Sequence, residues 1–423
     1  MSDTDVKHLR DLSPQQWKSG IAAWLGWMFD GLDMHLYTLV AVAFVAHLML
    51  LPDGDPAVKE KAAFIQAAFL VGWAFGGAFF GRIGDWLGRS RALTLTILTY
   101  SGFTGLSFFA QSWEQLMVCR FLAALGIGGE WAVGASLLAE TWPKTWRPWL
   151  AAILQSGVNI GVLLASLSVF LLSTIPGYES RWVFLVGILP ALVTLWIRHA
   201  VPETAAWHEA KKQAQTHSQP SGILDLFRGD ARKVTLLTLS VCALGLTAHW
   251  AFIFWCSQHL RALPEFSALD KGELTRVAVH AMTWIMLTSI IGNFIAAVMA
   301  RKFGYRRSIV GMFIIYGLTM VWCYSTTRTM AGLWPFLLTI GICQGVFGLF
   351  TMYLPPLFPV LIRTTGAGFC YNFGRIAAAA GTVLCIYFKD YSSALVSAGV
   401  LFLLAAMIAC FLPDRNDATD TNP

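Results

Sequence analysis

The chain has 423 residues, 56% of them hydrophobic and only 13% charged, with a mean hydropathy of +0.60. So little charge cannot cover the surface of a water-soluble protein of this length, which excludes a soluble enzyme. The net charge of +6 does not mark a nucleic-acid protein either, because the Lys and Arg residues sit in short loops between apolar runs.

The first sixteen residues are polar, and Ser13, Pro14 and Gln16 read as a helix start, with Ser as N-cap, Pro in the first turn and Gln three residues on. The apolar run that follows is too long for a cleaved signal, so the first span is expected to stay attached. About 20 apolar residues cross a bilayer. Twelve such spans are expected, at 17–48, 62–80, 92–110, 116–139, 150–172 and 182–197, then 234–256, 277–300, 308–324, 331–357, 365–388 and 394–412. A polar segment with Pro202 and Pro220 separates the two groups of six. The expected organisation is an N-terminal six-helix half (1–197), a cytoplasmic linker (198–233) and a C-terminal six-helix half (234–423). The fold class is an all-α membrane protein of twelve transmembrane helices in two pseudo-symmetric halves.

Orientation follows from the basic residues. With the N-terminus inside, cytoplasmic loops and ends hold 20 of the 30 Lys and Arg residues and outer loops hold 8, leaving Arg120 and Arg375 within spans. The positive-inside rule therefore predicts both termini in the cytoplasm. Eight scattered cysteines, Cys385 among them, form no C-x-x-C and read as small buried hydrophobes. No metal site is expected.

The halves repeat. Residues 81–91 read GRIGDWLGRSR and residues 297–307 read AVMARKFGYRR; Pro143 and Arg147 after the fourth span match Pro359 and Arg363 after the tenth. All share one offset, since 297−81, 359−143 and 363−147 each equal 216. Parallel six-span repeats point to a transporter whose halves rock about a central site.

The loop GRIGDWLGRSR resembles the signature G-x-x-x-D-(R/K)-x-G-R-(R/K) of the major facilitator superfamily. Gly81, Asp85, Gly88 and Arg89 match, while Trp86 stands where a basic residue is usual and Arg91 comes one place late. Glycines let helix ends approach, and Asp85 can cap a neighbouring helix and pair with Arg, so these four are the candidate conformational gate. In the second copy the Asp position is Arg301. The stretches AAWLGWMFDGLD, AETWPKTWR, GILPALVTLWIRHAVPET and RTTGAGFCYNFGR are similar to the sialic-acid/proton and aromatic-acid/proton symporter branches. The resemblance implies a monomeric secondary transporter in a bacterial inner membrane. The fifth span, LQSGVNIGVLL, lacks the Gly-Pro pair that resembles antiporters, which favours uptake.

An ionisable side chain at mid-bilayer costs about 3 kcal/mol, so those inside spans are normally paired or face a cavity. Asp30 and Asp33 lie three apart near the middle of the first span and share a face. Two carboxylates that close repel each other, so one is expected to keep a proton, as a proton carrier must. The resemblance implies the same role, and the alternative is that one Asp pairs with an Arg and locks the half. Arg120 and Glu130 share the fourth span: Arg120 reads as the charge partner of a first-span carboxylate, and Glu130 as a second proton acceptor or a buried structural acid. His249 lies opposite Asp33 at the repeat offset (249−33 is 216) and is a further proton-coupling candidate.

For the substrate, Arg375 in the eleventh span can grip a carboxylate through two parallel hydrogen bonds. The offset sets it opposite Asn159 (375−216 is 159), with Gln155 one turn earlier. Gln344 and Tyr371 complete the candidate substrate site. No H-E-x-x-H, G-x-S-x-G or phosphate loop is present, so no catalytic residue is assigned and an enzyme is not expected. The expected function is proton symport of a small organic anion (sialic acid, a monocarboxylate or an aromatic acid), driven by the proton gradient without a cofactor. The alternative is a proton-independent facilitator or sugar transporter.

Overall fold

The computed structural model describes residues 9–52, 55–216, 223–269, 271–384 and 390–414. Cys385 lies outside them, as does Pro220 of the expected linker. Among the described residues every regular element is helical.

The first helices in chain order are α1 (Pro14–Met49), α2 (Pro56–Leu87), α3 (Arg89–Ser107), α4 (Trp113–Thr141), α5 (Arg147–Ser173), α6 (Val183–Val186), α7 (Pro190–Ala200) and α8 (Ala205–Thr216). They are followed by α9 (Gly229–Arg261), α10 (Lys271–Phe303), α11 (Tyr305–Tyr324), α12 (Met330–Cys343), α13 (Val346–Tyr353), α14 (Arg363–Leu384) and α15 (Tyr391–Ala409). The start of α1 is the capping box its sequence predicts: Gln16 N–H donates to Ser13 Oγ (3.2 Å) and Ser13 N–H to Gln16 Oε1 (2.8 Å).

Among the described residues, nine helical stretches are long and apolar enough to cross a membrane. The other three expected spans are altered by their residues. The third forms α3, whose Thr and Ser residues lower its hydropathy. The sixth is not continuous: it turns at Gly187, and α7 restarts at Pro190. The eleventh forms α14, a continuous helix whose hydropathy is lowered by Asn372, Arg375 and its Thr and Gly residues. The tenth is one stretch, Met330–Tyr353, with two turn residues, Gln344 and Gly345, between α12 and α13. Large apolar side chains such as Phe170, Leu192 and Trp322 are at least 65% exposed, as lipid-facing residues are.

The chain forms two compact units. The first comprises Met1–Lys144, Leu154–Ala231 and Leu354–Asn372; the second comprises Thr145–Ile153, Arg232–Tyr353 and Phe373–Pro423. In the first unit α4 is central, packed on α2, α3 and α1. Helices in lipid gain no hydrophobic drive from one another, so close approach depends on small residues. Thus α1 and α5 meet backbone to backbone: a Cβ on Gly31 would stand 2.3 Å from Val158 O, and one on Gly161 1.9 Å from Met28 O.

In the second unit α11 packs on α15 and α10 on α12. Its core is aromatic, with Tyr316 stacked on Phe402 at 3.9 Å and Phe313 against Phe402 at 5.5 Å. The repeat is visible in the backbone. Gly88 (φ 108°) and Gly304 (φ 82°) each precede a helix in a left-handed conformation, and 304−88 is again 216.

Candidate functional site

Four ionisable side chains of the first unit are buried together along α1 and α4. Arg120 Nη2 donates to Asp33 Oδ2 at 2.9 Å and Nη1 to Asp33 Oδ1 at 3.3 Å, with both side chains fully buried. Thr104 on α3 joins them, accepting from Arg120 Nη1 at 3.0 Å and donating through its hydroxyl to Asp33 Oδ1. The guanidinium also lies over the Phe69 ring at 4.9 Å. One charge of each sign, hydrogen-bonded and ring-packed, is the arrangement that makes buried ions tolerable.

Ten residues further along α4, Glu130 is placed differently. Its carboxyl lies beside the Asp30 carboxyl and the Tyr100 hydroxyl, 3% exposed. It occupies space left by Gly26 on α1, where a Cβ would stand 1.6 Å from Glu130 Oε1. The acids of α1 are therefore unlike: Asp33 faces a cation and Asp30 faces another acid.

The loop between α2 and α3 builds a second network in the same unit. Asp85 pairs with Arg89 Nη1 at 3.2 Å. It also accepts from Thr364 N–H (3.2 Å), Thr365 N–H (2.9 Å) and the Thr365 hydroxyl (2.6 Å), capping the first turn of α14. Arg89 donates to Glu140 Oε1 at 2.9 Å and to Val360 O at 2.6 Å. Glu140 also accepts from Arg363 Nη1 at 3.1 Å and from the Thr204 hydroxyl. Gly81 allows this fit, since a Cβ there would lie 2.9 Å from Thr364 O. Gly88 combines its positive φ with the Glu203 carboxylate beside it, which accepts from the N–H groups of Ser90 and Arg91. Trp207 on α8 donates its indole N–H to Asp85 O at 2.8 Å.

The remaining candidates divide between the units. In the first, Gln155 is half-buried and Asn159 buried, one turn apart on α5. Tyr371 stacks flat on Trp131 at 4.2 Å and 5°, and Asn372 Nδ2 donates to Gly128 O at 3.2 Å. In the second, His249 packs on Phe347 at 4.6 Å, and Arg375 is near enough for its charge to act on the ring. Gln344 sits at the break between α12 and α13.

Sequence reasoning missed Thr104, Glu140, Glu203 and Thr365, and read Arg363 only as a mark of the repeat. Glu140 and Glu203 lie inside two of the stretches that carried the family resemblance, AETWPKTWR and the end of GILPALVTLWIRHAVPET. An acid inside each of those stretches was the available signal.

Parallel repeats and ionisable groups sealed inside spanning helices are features of a polytopic membrane transporter. The family described as sugar (and other) transporter matches residues 26–222. The sialic acid transporter NanX of Escherichia coli (strain K12) is 28% identical over 95% of this chain and 94% of its own length. A probable 4-methylmuconolactone transporter of Cupriavidus pinatubonensis (strain JMP 134 / LMG 1197) is 30% identical over 94% of this chain and 90% of its own. The solved proton:xylose symporter XylE superposes with a TM-score of 0.76 at 16% identity, covering 95% of this chain and 97% of that one, which shows the fold. The chain belongs to the sugar (and other) transporter family, and its fold is that of the solved major facilitator superfamily symporter XylE.

Proposed function

We propose that this protein is a proton-coupled symporter that brings a small organic anion, such as sialic acid, a monocarboxylate or an aromatic acid, across a bacterial inner membrane. The observation that carries the reading is the sealed Asp33–Arg120 pair with Asp30 and Glu130 beside it in one unit. A proton on Asp33 cancels one charge and loosens its hold on Arg120. In a low-dielectric interior, breaking such a pair is a large energy change, so proton binding and helix position become linked. Asp30 and Glu130, two adjoining carboxyls, take or pass the proton, and His249 is a further relay. The proton gradient supplies the driving force and no cofactor takes part.

Arg375 is the anion grip, because a guanidinium stays charged and fits a carboxylate with two parallel bonds. Tyr371, Asn159, Gln155 and Gln344 supply hydrogen-bonding groups. Relatives named for sialic acid and for 4-methylmuconolactone support a small oxygenated organic substrate. The halves 1–197 and 234–423, joined by the linker 198–233 and with both termini in the cytoplasm, move against each other within a monomer during transport. The loop of Gly81, Asp85, Gly88 and Arg89 is the gate, since opening it parts Asp85 from the first turn of α14.

The test is uptake of labelled N-acetylneuraminate, lactate and 4-hydroxybenzoate into proteoliposomes, with and without an inward proton gradient. Accumulation of one acid only with the gradient is the expected result. Entry of a neutral sugar regardless of the gradient, with no acid entering, would replace symport by facilitated diffusion.

A further inference from the structure

The second unit buries polar groups that its own helices leave unmatched. Asn293 on α10 is 1% exposed, and neither its Oδ1 nor its Nδ2 has a hydrogen-bond partner among the described residues. Gln344 Nε2, 5% exposed, and the fully buried Tyr316 hydroxyl face each other and meet no further partner among the described residues. Burying such groups unpaired is costly, and a stable fold tolerates few of them away from a functional site.

The backbones that carry Asn293 and Gln344 adjoin. The backbone of α10 lies directly on the break between α12 and α13: a Cβ on Gly345 would stand 2.2 Å from Gly292 O and 2.7 Å from Asn293 N. A Cβ on Gly292 would stand 2.1 Å from Ile342 O. Gln344 forms the break, and the Tyr316 hydroxyl faces it. Phe347, whose N–H bonds back to Gln344 O, carries the His249 ring. Interrupted helices within a membrane are tolerated where they line a ligand site.

We propose that Asn293, Gln344 and Tyr316 form a subsite for an uncharged hydroxyl or amide group of the transported molecule. A side-chain amide offers acceptor and donor together, and a phenol offers both from one oxygen. A hydroxyl or carboxamide satisfies both kinds. A carboxylate only accepts, and would leave Asn293 Oδ1 unmatched beside an anion. The inference rests on the acid-uptake reading and narrows it: the substrate is an organic acid that carries a hydroxyl or amide apart from its carboxylate. Asn293 is the specificity-determining residue that this adds.

The experiment compares matched pairs in proteoliposomes, lactate with propionate and 4-hydroxybenzoate with benzoate, alongside the neutral probes D-xylose and nicotinamide. A site built to bond a hydroxyl rejects the analogue lacking it, so the native protein should prefer the hydroxylated member by about 100-fold or more in kcat/KM. Asn293→Leu should raise KM for that member by about 10-fold or more and leave its deoxy partner unchanged. Asn293→Ser should keep part of the preference. Because Leu replaces an unmatched amide, Asn293→Leu should hold or raise Tm, whereas loss of a structural amide would lower it. A fall in Tm with equal loss for both members overturns the subsite, and so does an unchanged preference; either leaves acid uptake standing. If only a neutral probe enters and Asn293→Leu weakens it, the acid reading falls and the subsite stands. Entry of no probe contradicts both.

Discussion

Arg120 and Asp33 meet at 2.9 Å inside the first unit, both fully buried, so neither charge can be removed without stranding the other. Arg120→Ala should therefore destabilise the protein by about 3–5 kcal/mol, the cost of an uncompensated buried charge. The double variant Asp33→Leu/Arg120→Met should recover most of that loss, since apolar pairs replace buried ion pairs at little cost. Thermal unfolding in detergent measures both. An unchanged Tm for Arg120→Ala would show that the pair carries no stability.

Arg89 joins two acids, Asp85 and Glu140, at 3.2 and 2.9 Å. The two carboxylates should thus be energetically coupled. A double-mutant cycle of Asp85→Ala and Glu140→Ala is expected to give about 0.5–3 kcal/mol of non-additivity in unfolding free energy. Strict additivity would mean that Arg89 does not link them.

Gly161 and Gly102 make a contrasting pair. A Cβ on Gly161 would meet Met28 O at 1.9 Å, while one on Gly102 meets nothing within 4 Å. Gly161→Ala should cost about 1–3 kcal/mol by overpacking α1 against α5. Gly102→Ala should change stability by less than about 1 kcal/mol, toward stabilisation, because Ala favours the helix. Equal Tm values for the two variants would contradict the close packing of α1 and α5.

Arg375 is buried on α14 in the second unit. As the anion grip, its loss in Arg375→Ala should raise KM for a transported acid by about 30-fold or more, the effect of truncating one side of a buried charge pair. Uptake of a neutral analogue should be unaffected. Equal loss for acid and neutral analogue would assign Arg375 to packing.

Local chemistry was legible in the sequence, and long-range partners were not. The capping box at Ser13 and Gln16 needs only residues three apart. The offset of 216 reappears as matched left-handed glycines, Gly88 and Gly304, because a turn's backbone demand is local. Asp85 could be read as a helix cap from its loop, but the capped turn at Thr364 and Thr365 lies about 280 residues away and carries no mark of its partner. The break at Gln344 and Gly345 was hidden because the apolar run continues across it. Asn293 escaped notice because an uncharged polar residue in a span is ordinary until its hydrogen bonds are accounted for.

The most direct test of proton coupling is Asp33→Asn in proteoliposomes, assayed for both gradient-driven accumulation and counterflow exchange of the transported acid. Coupling through Asp33 predicts that accumulation is lost while exchange persists, because exchange needs the site and the rocking motion but no net proton movement. Accumulation at the native level, or loss of both activities together, would contradict it and leave the Asp33–Arg120 pair with a structural role alone.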